Sequence, residues 1–256
     1  ISTEKWLPDY GPSALNNNAG VTAIGAREFL IAYNINLNTS DKKKATDIAL
    51  DIRENGRAKR DNNGHIVRDS EGKMVKVPGS LKHVKAVGWY IDEYKIAQVS
   101  INLINFKKTP LHNVFEEVRV QANKRGLRVT GSEIVGLVPK TALIEAGKFY
   151  LDKQNSTIGI PVSDLINIAI SSLGLDNLSN FDSNTKIIEN SIYTDSKHLS
   201  NETIYSFTDE LSRNTPAPGG GSVSALVGSL AASLISMVCN ISLESKKYIK
   251  NRKKLN

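Results

Sequence analysis

Across residues 29–37 the chain reads FLIAYNINL, and large apolar side chains fall on every second position. Phe29, Ile31, Tyr33, Ile35 and Leu37 alternate with Leu30, Ala32, Asn34 and Asn36, a period of two that predicts a half-buried strand. The period then lengthens. Ala45, Ile48, Ala49 and Ile52 share one helical face after Ser40, the expected N-cap, and Gly56 is the expected stop. Two alternating runs, 85–91 and 97–106, flank a turn at 92–94 and predict paired strands. Thr109 as cap and Pro110 in the first helical position open a second helix that turns Leu111, Val114, Phe115 and Val118 inward. A fourth strand is expected over 127–138, followed by a helix over 140–153.

These elements spell βαββαβ, the signature of a ferredoxin-like α+β sandwich. In that topology the first and third strands are central, helices cover one face and the other face is open. With Phe29, Ile31, Tyr33, Ile35 and Leu37 toward the helices, Asn34 and Asn36 face the open side. The third strand likewise turns Val99, Ile101 and Leu103 inward and Gln98, Ser100 and Asn102 outward. The centre of the open face therefore carries amides and a hydroxyl, either as a solvated surface or as one that binds a ligand or another domain. The charged segment GRAKRDNNGHIVRDSEGKMVKVPGS reads as an exposed hairpin or loop, and no internal repeat is expected.

Ser163 is the expected cap of a helix over DLINIAISSLGL, which Gly174 ends. A looser stretch with linker character follows to about residue 197. NETIYSFTDELSR then has helical spacing through Ile204, Phe207 and Leu211, with Asn201 or Thr203 as cap. Next comes NTPAPGGGSVSALVGSLAASLISMV, a tight turn opening a small-residue apolar helix. Its apolar run, 223–238, is about 16 residues and is broken by Ser224, Gly228, Ser229, Ser233 and Ser236, which is short and polar for a membrane span. A buried helix at the start of an all-helical domain is the expectation. Such a helix lacks partners in this chain, and the sequence starts at Ile1, so a piece of a longer protein is expected.

Composition narrows the chemistry. The 256 residues are 40% hydrophobic, enough for a core, and carry a net charge of +7. Much of the excess sits at 42–44, at 53–85 and in the tail 246–254, clusters that usually mark solvated surface. The single Cys239 excludes an internal disulfide and fits a reducing compartment, and there is no signal-peptide pattern. His65, His83, His112 and His198 are scattered without zinc-ligand spacing, so no metal is expected; His112, in the first turn of a helix, is the one to watch. No nucleophile elbow, Walker loop or CxxC pair is present, although the N–H groups of GGGS at a helix start suit an anion or a sharp turn equally. GPSALNNNAG, at 11–20, combines side-chain amides with glycines that let backbone N–H groups approach a ligand, or is an ordinary loop.

Five stretches then occur in an order that resembles the formiminotransferase–cyclodeaminase family: LPDYGPSALNNNAGVTAIGAREFLIAYNINL, VKAVGWYIDEYKIAQVSINLINF, TPLHNVFEEV, GSEIVGLVPKTAL and NTPAPGGGSVSALVGSLAASL. The resemblance spans nearly the whole chain. It implies a folate-binding segment of Gly11, Pro12, Ser13, Ala14, Leu15, Asn16, Asn17, Asn18, Ala19 and Gly20, in which Gly11, Pro12, Ser13 and Gly20 match best and Asn16, Asn17 and Asn18 are a local variant. It also divides the chain. Residues 1–22 end an N-terminal subdomain that is otherwise missing, 23–191 are the C-terminal subdomain of the transferase, 192–200 a linker, and 201–256 the start of the cyclodeaminase. The segment 57–80 looks longer than the usual family loop.

The family's activity moves a formimino group from N-formimino-glutamate to tetrahydrofolate in histidine degradation, and its second domain then cyclises and deaminates the product to methenyl-tetrahydrofolate. By resemblance the catalytic histidine of the first reaction and the catalytic acid of the second both lie outside this chain, so no catalytic residue is expected here. Tetrahydrofolate as co-substrate, a cytoplasmic homo-oligomer, and no nucleic-acid or membrane partner are the corresponding expectations. The alternative is a basic ferredoxin-like RNA-binding module, which needs stacking aromatics on the open faces of its central strands. Asn34, Asn36, Gln98, Ser100 and Asn102 stand there instead.

Overall fold

The computed structural model describes residues 7–192 and 199–244. Its elements begin with β1 (Ile31–Leu37), α1 (Lys42–Ile52), the short β2 (Arg57–Ala58) and β3 (Lys76–Val77), then β4 (Val84–Ile91) and β5 (Ile96–Leu103). There follow α2 (Leu111–Asn123), β6 (Val129–Val135), α3 (Lys140–Lys153), α4 (Val162–Leu173), α5 (Ser183–Lys186), α6 (Ile188–Ile192), α7 (Ile204–Leu211) and α8 (Gly220–Glu244).

The main sheet is antiparallel throughout, in the order β4-β5-β1-β6. Alternation along β1 buries Ile31, Tyr33, Ile35 and Leu37 in one core with Ile48 and Ile52 of α1 and Leu111, Val114 and Val118 of α2. Each large apolar side chain so buried is worth about 1.5–3 kcal/mol. α1 lies on β4 and β5, and α2 on α1, β1 and β6, so one sheet face is covered by helices.

α3 packs on α2, and α4 packs on α3 in backbone contact, both adding side chains to the same core. A Cβ on Gly147 of α3 would stand 2.1 Å from the Leu165 carbonyl oxygen of α4, a separation only glycine permits. α4 ends at Gly174 in the left-handed region (φ 61°), whose carbonyl accepts the Ser132 N–H at 2.9 Å. Ser132 Oγ donates to the Leu173 carbonyl (2.6 Å) and accepts from the buried Tyr33 hydroxyl (2.9 Å), whose pKa is raised by burial. Beyond the strand, Val138 N–H donates to Lys186 O (2.9 Å) and Ile188 N–H to Val138 O (3.0 Å). The β6 side of the sheet is thus closed rather than left as an open edge.

Several local expectations are corrected. β1 starts at Ile31, and Phe29 is exposed instead of facing the helices. Asp41, not Ser40, caps α1, its carboxylate accepting the Lys43 N–H at 2.8 Å. Thr109 does not cap α2, because its hydroxyl donates to the Lys82 carbonyl (2.7 Å); Pro110 holds the cap position. Pro161 likewise displaces Ser163 at α4, whereas Thr203 does cap α7. Part of the looser stretch is helical, as α5 and α6.

The insert does contain a repeat, contrary to expectation: RDNNGHIV (60–67) and RDSEGKMV (68–75) fold alike. Asp61 Oδ1 accepts the Asn63 and His65 N–H groups (both 2.9 Å), and Asp69 Oδ1 those of Glu71 (2.9 Å) and Lys73 (2.8 Å). Arg60 and Arg68 each donate to the glycine carbonyl four residues on. Val67 N–H donates to Lys59 O, Val75 N–H to Val67 O, and Lys59 N–H to Val75 O, closing a ring of three backbone bonds. Hydrophobic periodicity misses the repeat because its signal is polar: an aspartate turn and a glycine.

α8 is longer than the apolar run that predicted it. Over Gly220–Leu243 its mean hydropathy is 1.9, long and apolar enough to cross a membrane, although one such helix is weak ground for a span. Asn240 Nδ2 (2.8 Å) and Ser236 Oγ (3.0 Å) donate to the Gly159 carbonyl, fixing this helix against the loop before α4. The basic tail 246–254, His198 and most of the expected linker lie outside the described residues.

Candidate ligand-binding face

The sheet face away from the helices is organised in rows by strand register. Trp89, Gln98, Asn36 and Gly131 stand abreast in one row, and Val87, Ser100, Asn34 and Glu133 in the next. A third row runs Lys85, Asn102, Ala32 and Val135. All five polar residues expected on this face are there, so the alternation assigned the face correctly. The burial of three of them was not foreseen: Asn36 and Gln98 are 0% exposed and Asn34 is 3% exposed, whereas Ser100 is half-buried and Asn102 exposed.

Hydrogen-bonded neighbours account for this burial. Trp89 Nε1 donates to Gln98 Oε1 (2.9 Å), Gln98 Nε2 donates to Asn36 Oδ1 (2.7 Å), and Asn36 Nδ2 donates to Asn177 Oδ1 (3.1 Å). Glu133 joins from β6, its Oε1 accepting Asn34 Nδ2 (2.9 Å) and Gln98 Nε2 (3.3 Å). Asn177 belongs to the loop after α4 and lies over Gly131, where a Cβ would come within 2.3 Å of the Asn177 Cβ. Paired donors and acceptors are what allow buried amides at all. These amides are shut off from solvent, so the polar side chains that reach the surface of this face are Lys85, Trp89 and Asn102, which are exposed, and Ser100 and Glu133, which are half-buried.

Trp89, Glu133 and Asn177 were not among the residues expected at the site. Trp89 and Glu133 share the alternation of their own strands and were findable once the register was known. Asn177 was not, being in a loop. Glu133 also borders a cavity of about 190 Å³ together with Val135, Asn180, Phe181 and Lys186.

The segment from Gly11 to Gly20 is exposed along its whole length. Asn16 shapes it: Oδ1 accepts the N–H groups of Asn18 (2.9 Å) and Ala19 (3.0 Å), and its carbonyl accepts Gly20 N–H (2.7 Å). Gly11 and Gly20 take φ of 91° and 67°, a region that suits glycine. Pro12, Ser13, Ala14 and Leu15 precede this turn, and Asn17, Asn18 and Ala19 lie within it. Among the described residues, no hydrogen bond or ion pair joins the segment to the polar face.

His112 stands apart from both features. It is buried, its ring stacks on Phe149 (centroids 4.3 Å apart), and Nδ1 has no hydrogen-bond partner. Burial lowers its pKa against the opposing pull of Glu145 and Glu116. Among the described residues, no three His, Cys, Asp or Glu side chains gather as metal ligands.

Comparison with known proteins gives two family matches in succession. Residues 32–193 match the formiminotransferase domain, and residues 203–256 match the family described as formiminotransferase-cyclodeaminase. The formimidoyltransferase-cyclodeaminase of Dictyostelium discoideum is 41% identical over 251 residues, covering 97% of this chain and 43% of that protein. The glutamate formimidoyltransferase of Thermoplasma acidophilum is 41% identical over 151 residues, 59% of this chain and 42% of that protein. A methenyltetrahydrofolate cyclohydrolase of Methylorubrum extorquens is 49% identical over 49 residues, 19% of this chain and 24% of that protein. The chain thus spans less than half the length of these relatives.

Proposed function

The chain belongs to the formiminotransferase-cyclodeaminase family, and from that premise we propose that residues 23–191 are the C-terminal subdomain of a folate-dependent formiminotransferase. The strand order β4-β5-β1-β6, with α1 and α2 on one face, supports a ferredoxin-like reading of this unit. Residues 1–22 carry the folate-binding segment of a preceding subdomain, 192–200 are a linker, and 201–256 open the helical cyclodeaminase domain. The polar sheet face is the observation that carries the proposal: the buried amides of Asn34, Asn36 and Gln98 brace it, and Lys85, Trp89, Asn102 and Glu133 reach its surface. It forms one wall of a cleft in which the folate lies, facing the N-terminal subdomain.

The chemistry is transfer of the formimino group from N-formimino-glutamate to N5 of tetrahydrofolate. N5 attacks the amidine carbon, a tetrahedral adduct forms, and its collapse breaks the bond to the glutamate nitrogen, which leaves protonated as glutamate. A histidine of the N-terminal subdomain accepts the N5 proton, and this chain's share is positioning of the two substrates. In the second reaction N10 closes onto the same carbon and ammonia departs, giving methenyl-tetrahydrofolate. The reading places the protein in histidine degradation, as a homo-oligomer in the cytoplasm without nucleic-acid or membrane partners; the free thiol of Cys239 suits that reducing compartment.

Nucleic-acid binding is disfavoured at the same face. Trp89, the aromatic on its edge strand, commits its indole N–H to Gln98, and the central strands present no aromatic side chain in these three rows. The test is release of glutamate from N-formimino-L-glutamate by the full-length protein. Release dependent on tetrahydrofolate is expected, and none from the 256-residue chain alone. Failure of the full-length protein to release glutamate, or turnover by this chain alone, would refute the proposal.

A further inference from the structure

We infer that Glu133 is a substrate-binding residue of the polar face, receiving a planar N–C–N edge that carries two N–H donors. This rests on the transferase reading above, which supplies two such edges: the formamidine of N-formimino-glutamate and the 2-amino-pyrimidinone of tetrahydrofolate. Glu133 is held by one oxygen only. Oε1 accepts from Asn34 Nδ2 (2.9 Å) and Gln98 Nε2 (3.3 Å), whereas Oε2 accepts no hydrogen bond among the described residues. Neither does any Lys, Arg or His among them pair with its charge. A carboxylate oriented at one oxygen and open at the other is the complement of an amidine-type edge.

The surroundings favour the formamidine. Glu133 and Lys186 line the same cavity of about 190 Å³, and Lys186 has no ion pair among the described residues. An amino-acid substrate with a cationic amidine at one end and carboxylates at the other needs both signs of charge within one small volume. The pterin edge has no such use for the lysine.

Glu133→Gln in the full-length protein separates the possibilities. Glutamine keeps a carbonyl oxygen for Asn34 and Gln98, so the thermal midpoint should hold, but it loses the charge and the second acceptor. Either KM for N-formimino-L-glutamate or Kd for tetrahydrofolate should rise about ten- to a hundredfold, the other staying within about twofold. A rise in KM assigns the formamidine and a rise in Kd the pterin edge; no change in either overturns the inference. If the variant does not fold, the unaltered protein is titrated with N-formyl-L-glutamate, which lacks the second N–H donor, and with 2-deamino-tetrahydrofolate. At least about tenfold weaker binding of one analogue than of its parent is expected, and equal binding of both overturns the inference. An unaltered protein that neither turns over nor binds tetrahydrofolate would instead refute the transferase reading.

Discussion

Leucine substitution at Asn36 and Gln98, singly and together, tests whether the polar face acts as one connected unit. In Asn36→Leu, Gln98 Nε2 loses its 2.7 Å acceptor and keeps only the 3.3 Å contact with Glu133, inside a side chain with no exposed surface. In Gln98→Leu, Asn36 Oδ1 loses its only donor among the described residues and is equally shut off from water. Each change leaves one buried polar group without a good partner and should cost about 1–3 kcal/mol. The double variant removes both orphans. What remains is the Trp89 indole N–H and the Asn177 carbonyl, on side chains that reach solvent. The double variant should therefore cost less than the sum of the single variants, by about 0.5–3 kcal/mol. Urea unfolding of the four chains, with the slope held common, measures the difference. Costs that add to within about 0.5 kcal/mol would refute the connected network.

Two further outcomes follow from packing and burial. Gly147→Ala sets a Cβ 2.1 Å from the Leu165 carbonyl oxygen, so α3 and α4 must separate; a loss of about 1–3 kcal/mol in chemical unfolding is expected, and an unchanged midpoint would refute the contact. For His112, burial lowers the folded pKa below its ordinary value of 6.5, so the neutral ring contributes stability in full above that value and loses it as pH falls through the folded pKa. His112→Phe preserves a ring against Phe149 and should flatten the decline in thermal midpoint between about pH 7 and about pH 5; an equally steep decline in both chains would refute the assignment.

The sheet was legible in the sequence because its information is local. Period-two alternation in β1 and β5 assigned each side chain to a face, and helical spacing in α1 and α2 gave Ile48, Ile52, Leu111, Val114 and Val118 to the core. Helix starts were less legible because two signals competed at each. Pro110 and Pro161 are already restricted to a φ that fits a helix entry, and they took the cap positions from neighbouring hydroxyls. Thr109 was then free to bond Lys82, a contact made across 27 positions and invisible to any local rule.

The polar site was legible as a list of residues but not as a device. Asn34, Asn36 and Gln98 could be placed on one face from alternation alone; that they bury one another depends on register, and Asn177 reaches Asn36 from 141 positions away. Orientation follows once the row is assembled. An indole N–H can only donate, so Gln98 must present its oxygen to Trp89 and therefore its nitrogen to Asn36 and Glu133. Asn36 must then accept with its oxygen and send its nitrogen to Asn177. The carboxylate of Glu133 accepts only, which forbids reversing Gln98 from the other side. A donor-only group on one edge strand and an acceptor-only group on the other leave the amides of Gln98 and Asn36 one satisfied arrangement. The face is thus held by its own hydrogen bonds, and the two groups that reach its surface, Trp89 and Glu133, stand on a framework already fixed.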